Sequence, residues 1–126
     1  MDFLKGEIMA VDKPYRMSSF GALAHVRYVM SKRLGKKVKI GHAGTLDPLA
    51  TGVLVLCTGK KTKLIEQLQT HTKEYVAIMQ LGATTDSYDR EHTVNRTYPK
   101  EHISLELIRS VLPQFIGDIS QVPPTY

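Results

Sequence analysis

One aspartate in this chain stands where a scaffold can aim it. Asp47 lies in the run Lys39-Ile40-Gly41-His42-Ala43-Gly44-Thr45-Leu46-Asp47-Pro48-Leu49-Ala50-Thr51-Gly52-Val53-Leu54-Val55-Leu56. Glycine lets the backbone take angles closed to other residues and lets another molecule approach closely. Pro48 fixes its own φ and pushes Asp47 toward extended geometry. Val53 to Leu56 reads as a short buried strand. Asp47 therefore sits on a stiff, glycine-bracketed loop anchored by core, which is how one carboxylate is held in a set direction. A carboxylate so placed can act as nucleophile or as base. Asp before Pro is equally a common turn residue, and a single His such as His42 is often only structural.

Charge points to a polyanion. The chain has 126 residues and a formal net charge of +5. Residues 1–26 sum to zero, residues 27–63 carry +8 and residues 64–126 carry −3. The basic block surrounds the Asp47 loop in sequence, which suits a polyanionic substrate. Such lysines also serve simply to solvate a surface, and they supply affinity rather than sequence choice. No apolar run is long enough to span a bilayer, and the N-terminus has no signal-peptide pattern. One cysteine, Cys57, excludes an internal disulfide framework and a cysteine-based metal cluster. It reads as a small core residue in a reducing, cytoplasmic setting.

The elements that must position Asp47 follow from periodicity. Phe3–Val11 reads as a strand with Leu4, Ile8, Ala10 and Val11 as core candidates. Pro14 breaks regular structure, and Ser18 or Ser19 caps a helix. Its apolar residues Phe20, Leu23, Val26, Met30 and Leu34 fall three or four apart, and Gly35 ends it. The segment 59–63 faintly resembles a phosphate loop, but the Walker pattern needs an earlier Gly where this chain has Leu54, so that reading is rejected. Thr62 is expected to cap a short helix with Leu64, Ile65 and Leu68 inward. Residues 72–82 read as a strand with Tyr75, Ala77, Met79 and Leu81 on one face. A polar loop, 82–89, and a polar stretch without clear period, 90–100, follow. Ser104 caps a last helix bearing Leu105, Ile108, Leu112 and Phe115. Strands and helices mix without a repeated βαβ period, so the fold class is α+β.

The string from Gly41 to Leu54 resembles the catalytic motif of the TruB family of pseudouridine synthases. Two more segments agree. Asp12-Lys13-Pro14-Tyr15-Arg16-Met17-Ser18-Ser19 is similar to the family motif Asp-Lys-Pro-x-Gly-x-Thr-Ser, with Arg16 in place of Gly and Ser18 in place of Thr. Arg at a glycine position raises the question of the local backbone angle and offers a phosphate contact. Lys73-Glu74-Tyr75 matches a second motif, and Thr85-Asp86 lies in a segment like Thr-Asp-Thr-x-Asp.

The resemblance implies the pseudouridine synthase fold, a mixed, mainly antiparallel sheet flanked by helices, present here only in part. It implies that Asp47 is the catalytic aspartate, converting a uridine in the T-arm of tRNA to pseudouridine. Tyr75 would stack on the flipped base, and His42 would hold the extruded arm. Lys13, Gly44, Leu46 and Asp86 complete the implied substrate- and RNA-binding set, although Lys13 is equally a residue that only orients the loop beside Asp47. No cofactor, metal, DNA or membrane is expected. Because Gln121-Val122-Pro123-Pro124-Thr125-Tyr126 matches the start of a longer motif, residues 1–126 read as the N-terminal portion of one catalytic domain. The isolated chain is then expected to be inactive and to self-associate through uncovered sheet or apolar surface. A non-catalytic RNA-binding module is the competing reading. A guide-RNA-dependent relative and a glycosidase-like hydrolase fit less well, the latter because that chemistry normally pairs two carboxylates.

Overall fold

The structure is a computed structural model that describes residues 1–124, so the last two residues of the Gln121–Tyr126 motif lie outside it. The chain divides into two compact units, Met1–Glu74 and a second from Tyr75 onward. Both mix helix with antiparallel strand, and the class is α+β.

The first unit is a three-stranded antiparallel sheet with one long helix. Its strands are β1 (Ile8–Lys13), β2 (Ile40–His42) and β3 (Gly52–Thr58), in the order β1-β3-β2. The central strand β3 is the apolar run that follows Asp47, and all but its last residue pairs with β1, from Ile8 opposite Cys57 to Lys13 opposite Gly52. The helix α1 (Ser19–Leu34) supplies Ala22 and Leu23, which meet Leu54 and Leu56 in the buried core. Met9, Val11, Val26, Ile40 and Leu46 pack around that cluster. Cys57 is fully buried, and desolvation pushes its thiol pKa up.

Several sequence expectations change here. The first strand begins at Ile8, not Phe3, because the Asp2 carboxylate accepts from the Leu4 and Lys5 amides and makes a turn of residues 2–5. Its inward residues are Met9, Val11 and Lys13, while Leu4, Ile8 and Ala10 are exposed. A strand alternates strictly, so placing Val11 inward excludes Ile8 and Ala10. In α1, Leu23 and Val26 face the core as expected, but Phe20 and Leu34 are exposed and the buried stripe starts at Ser19. Ser18 is the N-cap, its hydroxyl accepting from the Gly21 amide at 3.0 Å, and Gly35 closes the helix at φ 62. Thr62 caps nothing. Its hydroxyl donates back to the Gly59 carbonyl within a 3₁₀ turn, Gly59–Leu64, that leads into α2 (Ile65–Gln69). Leu64, Ile65 and Leu68 are half-buried.

The second unit is lightly built. The expected strand over 72–82 does not form: residues 73–80 have no ladder partner among the described residues, and Val76 and Ile78 are more than nine-tenths exposed. Period-2 apolar alternation states a preference, but a strand exists only where a neighbour takes up its amides and carbonyls. The strands present are β4 (Ala83–Thr84) and β5 (Arg96–Thr97), which close the polar loop as an antiparallel pair. The helix α3 (Leu105–Val111) is capped by the Ser104 hydroxyl, which accepts from the Leu107 amide. Leu112 and Phe115 continue it as an exposed 3₁₀ turn.

The two faces of β3 differ in what a truncation costs. Leu56→Ala leaves a cavity at the centre of β3 and is expected to cost about 2–5 kcal/mol. Val53→Ala, on the exposed side of the same strand, is expected within about 0.5 kcal/mol of wild type. Urea midpoints of both variants measure this, and equal losses would overturn the assignment of faces.

Candidate active site

Asp47 stands at the first residue of a tight turn. The Ala50 amide donates to the Asp47 carbonyl at 3.0 Å, with Pro48 at the second turn position, where its fixed φ is favourable. The side chain is exposed, and among the described residues its carboxylate makes no ion pair. What is fixed is the backbone that carries it.

Three groups hold that backbone. The first is Lys13, whose side chain is fully buried. Its Nζ donates to the carbonyls of Met17 at 2.6 Å, Pro14 at 3.0 Å and Pro48 at 3.5 Å. An ammonium has three donors and here it has three acceptors. Burying a charge is costly unless it is so satisfied, and the arrangement ties the residue 13–17 loop to the turn of Asp47. The second group is the Arg16 amide, which also donates to the Pro48 carbonyl, at 2.8 Å. The third is Ser19. Its hydroxyl donates to the Leu46 carbonyl at 2.9 Å and accepts from the Leu46 amide at 2.8 Å. Leu46 itself packs on the core, so the residue before Asp47 is held by side chain and backbone together.

His42 ends β2, where it lies opposite Leu56. Its Nδ1 lies 2.7 Å from the Gly44 carbonyl oxygen. A carbonyl only accepts, so Nδ1 carries the proton, and in the neutral ring Nε2 is left as an acceptor. Gly44 has φ +114, a conformation that L side chains rarely adopt, and this is where the chain turns from β2 toward Asp47.

Lys13, His42, Gly44, Leu46 and Asp47 are thus gathered in the first unit, at one end of its sheet. Ser19 was not among the sequence candidates. Its signal was the pair Ser18-Ser19: only one hydroxyl caps a helix, and the other had to be explained. Tyr75 and Asp86 belong to the second unit. Tyr75 is 67% exposed in the segment without a strand partner. The Asp86 carboxylate accepts from the Asn95 side-chain amide, whose oxygen in turn accepts from the Thr84 hydroxyl. Asp89 braces the same loop, and its carboxyl pKa is lowered first by the Ser87 hydroxyl and then by the Glu91 amide.

Part of the basic block lies away from Asp47 in space. Ile40 pairs with Thr58, the Gly59 amide donates to the Lys39 carbonyl, and the Lys60 amide donates to the Lys5 carbonyl. The backbone of Lys5, Lys39, Lys60 and its neighbour Lys61 therefore meets at the far end of β3. The six steps from Gly52 to Thr58 put that end about 20 Å from the end that carries the Asp47 loop.

Fold and site together define an α+β protein that presents one exposed aspartate on a turn held by partly buried hydrogen bonds. Comparison with known proteins narrows the class. Residues 32–126 match the model of the TruB family pseudouridylate synthase, N-terminal domain, and the chain belongs to that family. It is 58% identical over its full length to a protein named tRNA pseudouridine synthase B from Bacteroides thetaiotaomicron, of which it covers 53%. It is 54% identical to the protein of that name from Phocaeicola vulgatus, covering 54% of it. With the one from Flavobacterium johnsoniae it shares 49% identity, over 99% of this chain and 56% of that protein. The chain spans about half the length of the curated relatives it matches.

Ser19→Ala removes both hydrogen bonds to Leu46 and leaves a half-buried carbonyl and amide to find other partners. A loss of about 1–3 kcal/mol is expected, together with faster hydrogen exchange at the Leu46 amide. Unchanged protection at Leu46 would show that the hydroxyl does not hold the loop.

Proposed function

We propose that this chain is the N-terminal portion of the catalytic domain of an enzyme that isomerises a uridine in the T-loop of tRNA to pseudouridine, with Asp47 as the catalytic aspartate. The observation that carries the reading is the cradle of Asp47: a motif-matched carboxylate, exposed, on a turn tied down through Lys13, Arg16 and Ser19. The names of the relatives, which describe tRNA pseudouridine synthases, support the substrate and the reaction. A cytoplasmic setting follows from that reading. No helix among the described residues is long and apolar enough to cross a membrane.

The reaction breaks the N1–C1′ bond of uridine, turns the uracil, and joins C5 to C1′, with the C5 proton lost and a proton gained at N1. No redox change is involved. Asp47 serves either by attacking C1′, as in retaining glycosidases, or by removing a ribose proton. Both roles need the carboxylate held in one direction, and the turn supplies that. The uridine has first to leave its stack. In this reading His42, with Nε2 as its free ring nitrogen, helps hold the extruded arm. The exposed ring of Tyr75 stacks on the base. The lysines at the far end of the sheet take phosphates away from the reaction centre and contribute affinity.

Asp47→Asn in the full-length protein is expected to abolish pseudouridine formation while tRNA binding remains. Tritium release from tRNA labelled at uridine C5, with a filter-binding assay beside it, measures both. Turnover near the wild-type rate would refute the assignment, and a wild type that binds tRNA without turnover would favour the RNA-binding module. Residues 1–126 alone are expected to be inactive and to self-associate, given the exposure of Val76, Ile78 and Met79. A monodisperse monomer in analytical ultracentrifugation, turning over at the full-length rate, would overturn this.

A further inference from the structure

We propose that Arg16, propped by Tyr15, is a phosphate-binding residue for the RNA substrate beside the Asp47 turn. The inference deepens the proposed function and rests on it.

Backbone geometry is the first ground. Arg16 has φ 61, in the left-handed region. For an L-residue other than Gly, Asn or Asp this conformation costs about 1–2 kcal/mol. A long, β-unbranched cation therefore stands at a position where glycine would be the stable choice. The site tolerates a fold penalty, and the guanidinium is what the penalty maintains there.

Location is the second ground. The Arg16 amide donates to the Pro48 carbonyl, one residue from Asp47, so the root of the side chain is pinned to the turn that carries the carboxylate. The cations nearby are otherwise engaged. Lys13 is buried and spent on three carbonyls. Lys73, whose stem passes Gly44, donates to the Gln69 and His71 carbonyls. The lysines of the far end lie about 20 Å away along β3. A substrate whose reacting nucleotide sits at Asp47 brings its own phosphates to this end, and Arg16 is the exposed cation that the turn presents to them.

Preorganisation is the third. The guanidinium carbon lies 5.5 Å from the Tyr15 ring centroid, within the range of a cation–π contact. Both residues are exposed. A guanidinium stacked on one face keeps its in-plane donors free, and those donors match two phosphate oxygens. Tyr15 thus lowers the entropy lost when the contact forms.

The test separates fold from binding by sign. Arg16→Gly relaxes the backbone and removes the charge. In the full-length protein it is expected to hold or raise the melting temperature, yet to weaken tRNA binding roughly five- to tenfold at 0.1 M salt. The slope of log Kd against log salt is expected to shrink by about 1. Arg16→Asn, which also tolerates the left-handed region, is the second variant, so that a change in folding of the first does not decide the matter. Weaker binding and a smaller salt slope in both variants support the proposal. Wild-type affinity and slope in either one overturn it. A wild-type protein that bound no tRNA would sink the functional reading itself, whereas wild-type binding matched by the variants would sink only the Arg16 assignment.

Discussion

The buried ammonium of Lys13 is the constraint on which the site depends. It sits at the end of β1, opposite Gly52 of β3, where the alternation of the strand points it inward. There it gathers three carbonyls from two loops, the one at Pro48 lying 35 residues further along the chain. A charged lysine buried without partners is costly. With partners, it makes the residue 13–17 loop and the Asp47 turn a single body. Arg16 and Ser19 then add hydrogen bonds to the same turn, at Pro48 and at Leu46. The carboxylate is left exposed above that support, and among the described residues it makes no ion pair.

That division of labour explains why the flanking residues are what they are. Leu46 packs on the core while Asp47 is exposed. Pro48 prevents the turn from continuing as helix or strand and offers a carbonyl with two lone pairs, both of which are used. Gly44 permits the sharp departure from β2, and its carbonyl orients His42. The site is thus assembled mainly from backbone groups, with side chains acting as ties. A family motif that runs unbroken through such a turn is the sequence image of this arrangement.

Charge is distributed by topology rather than by sequence. Residues 36–39 and 59–63 flank the Asp47 segment in the chain, but antiparallel pairing of β2 with β3 sends both to the opposite end of the sheet. Arg16, by contrast, is an exposed cation whose amide is bonded to the Asp47 turn itself.

The linear order of residues determined the identity of the loop, the helix that follows Ser18, its glycine cap, the central strand and the α+β class, because these rest on local propensity, capping and contiguous motif. Family membership was legible for the same reason, through the run from Gly41 to Leu54 and the Lys13-Pro14 segment. The rest was decided by contacts between distant residues. Which parity of β1 faces inward, and so the burial of Lys13, depends on its register with β3. Whether Ser18 or Ser19 caps the helix depended on Leu46, 27 residues further on, which claims the second hydroxyl. The alternating segment around Tyr75 has the pattern of a strand but no ladder among the described residues, since a strand is a property of a pair and not of a peptide. Local rules act within a few residues, whereas burial and pairing are settled only when the chain folds back on itself.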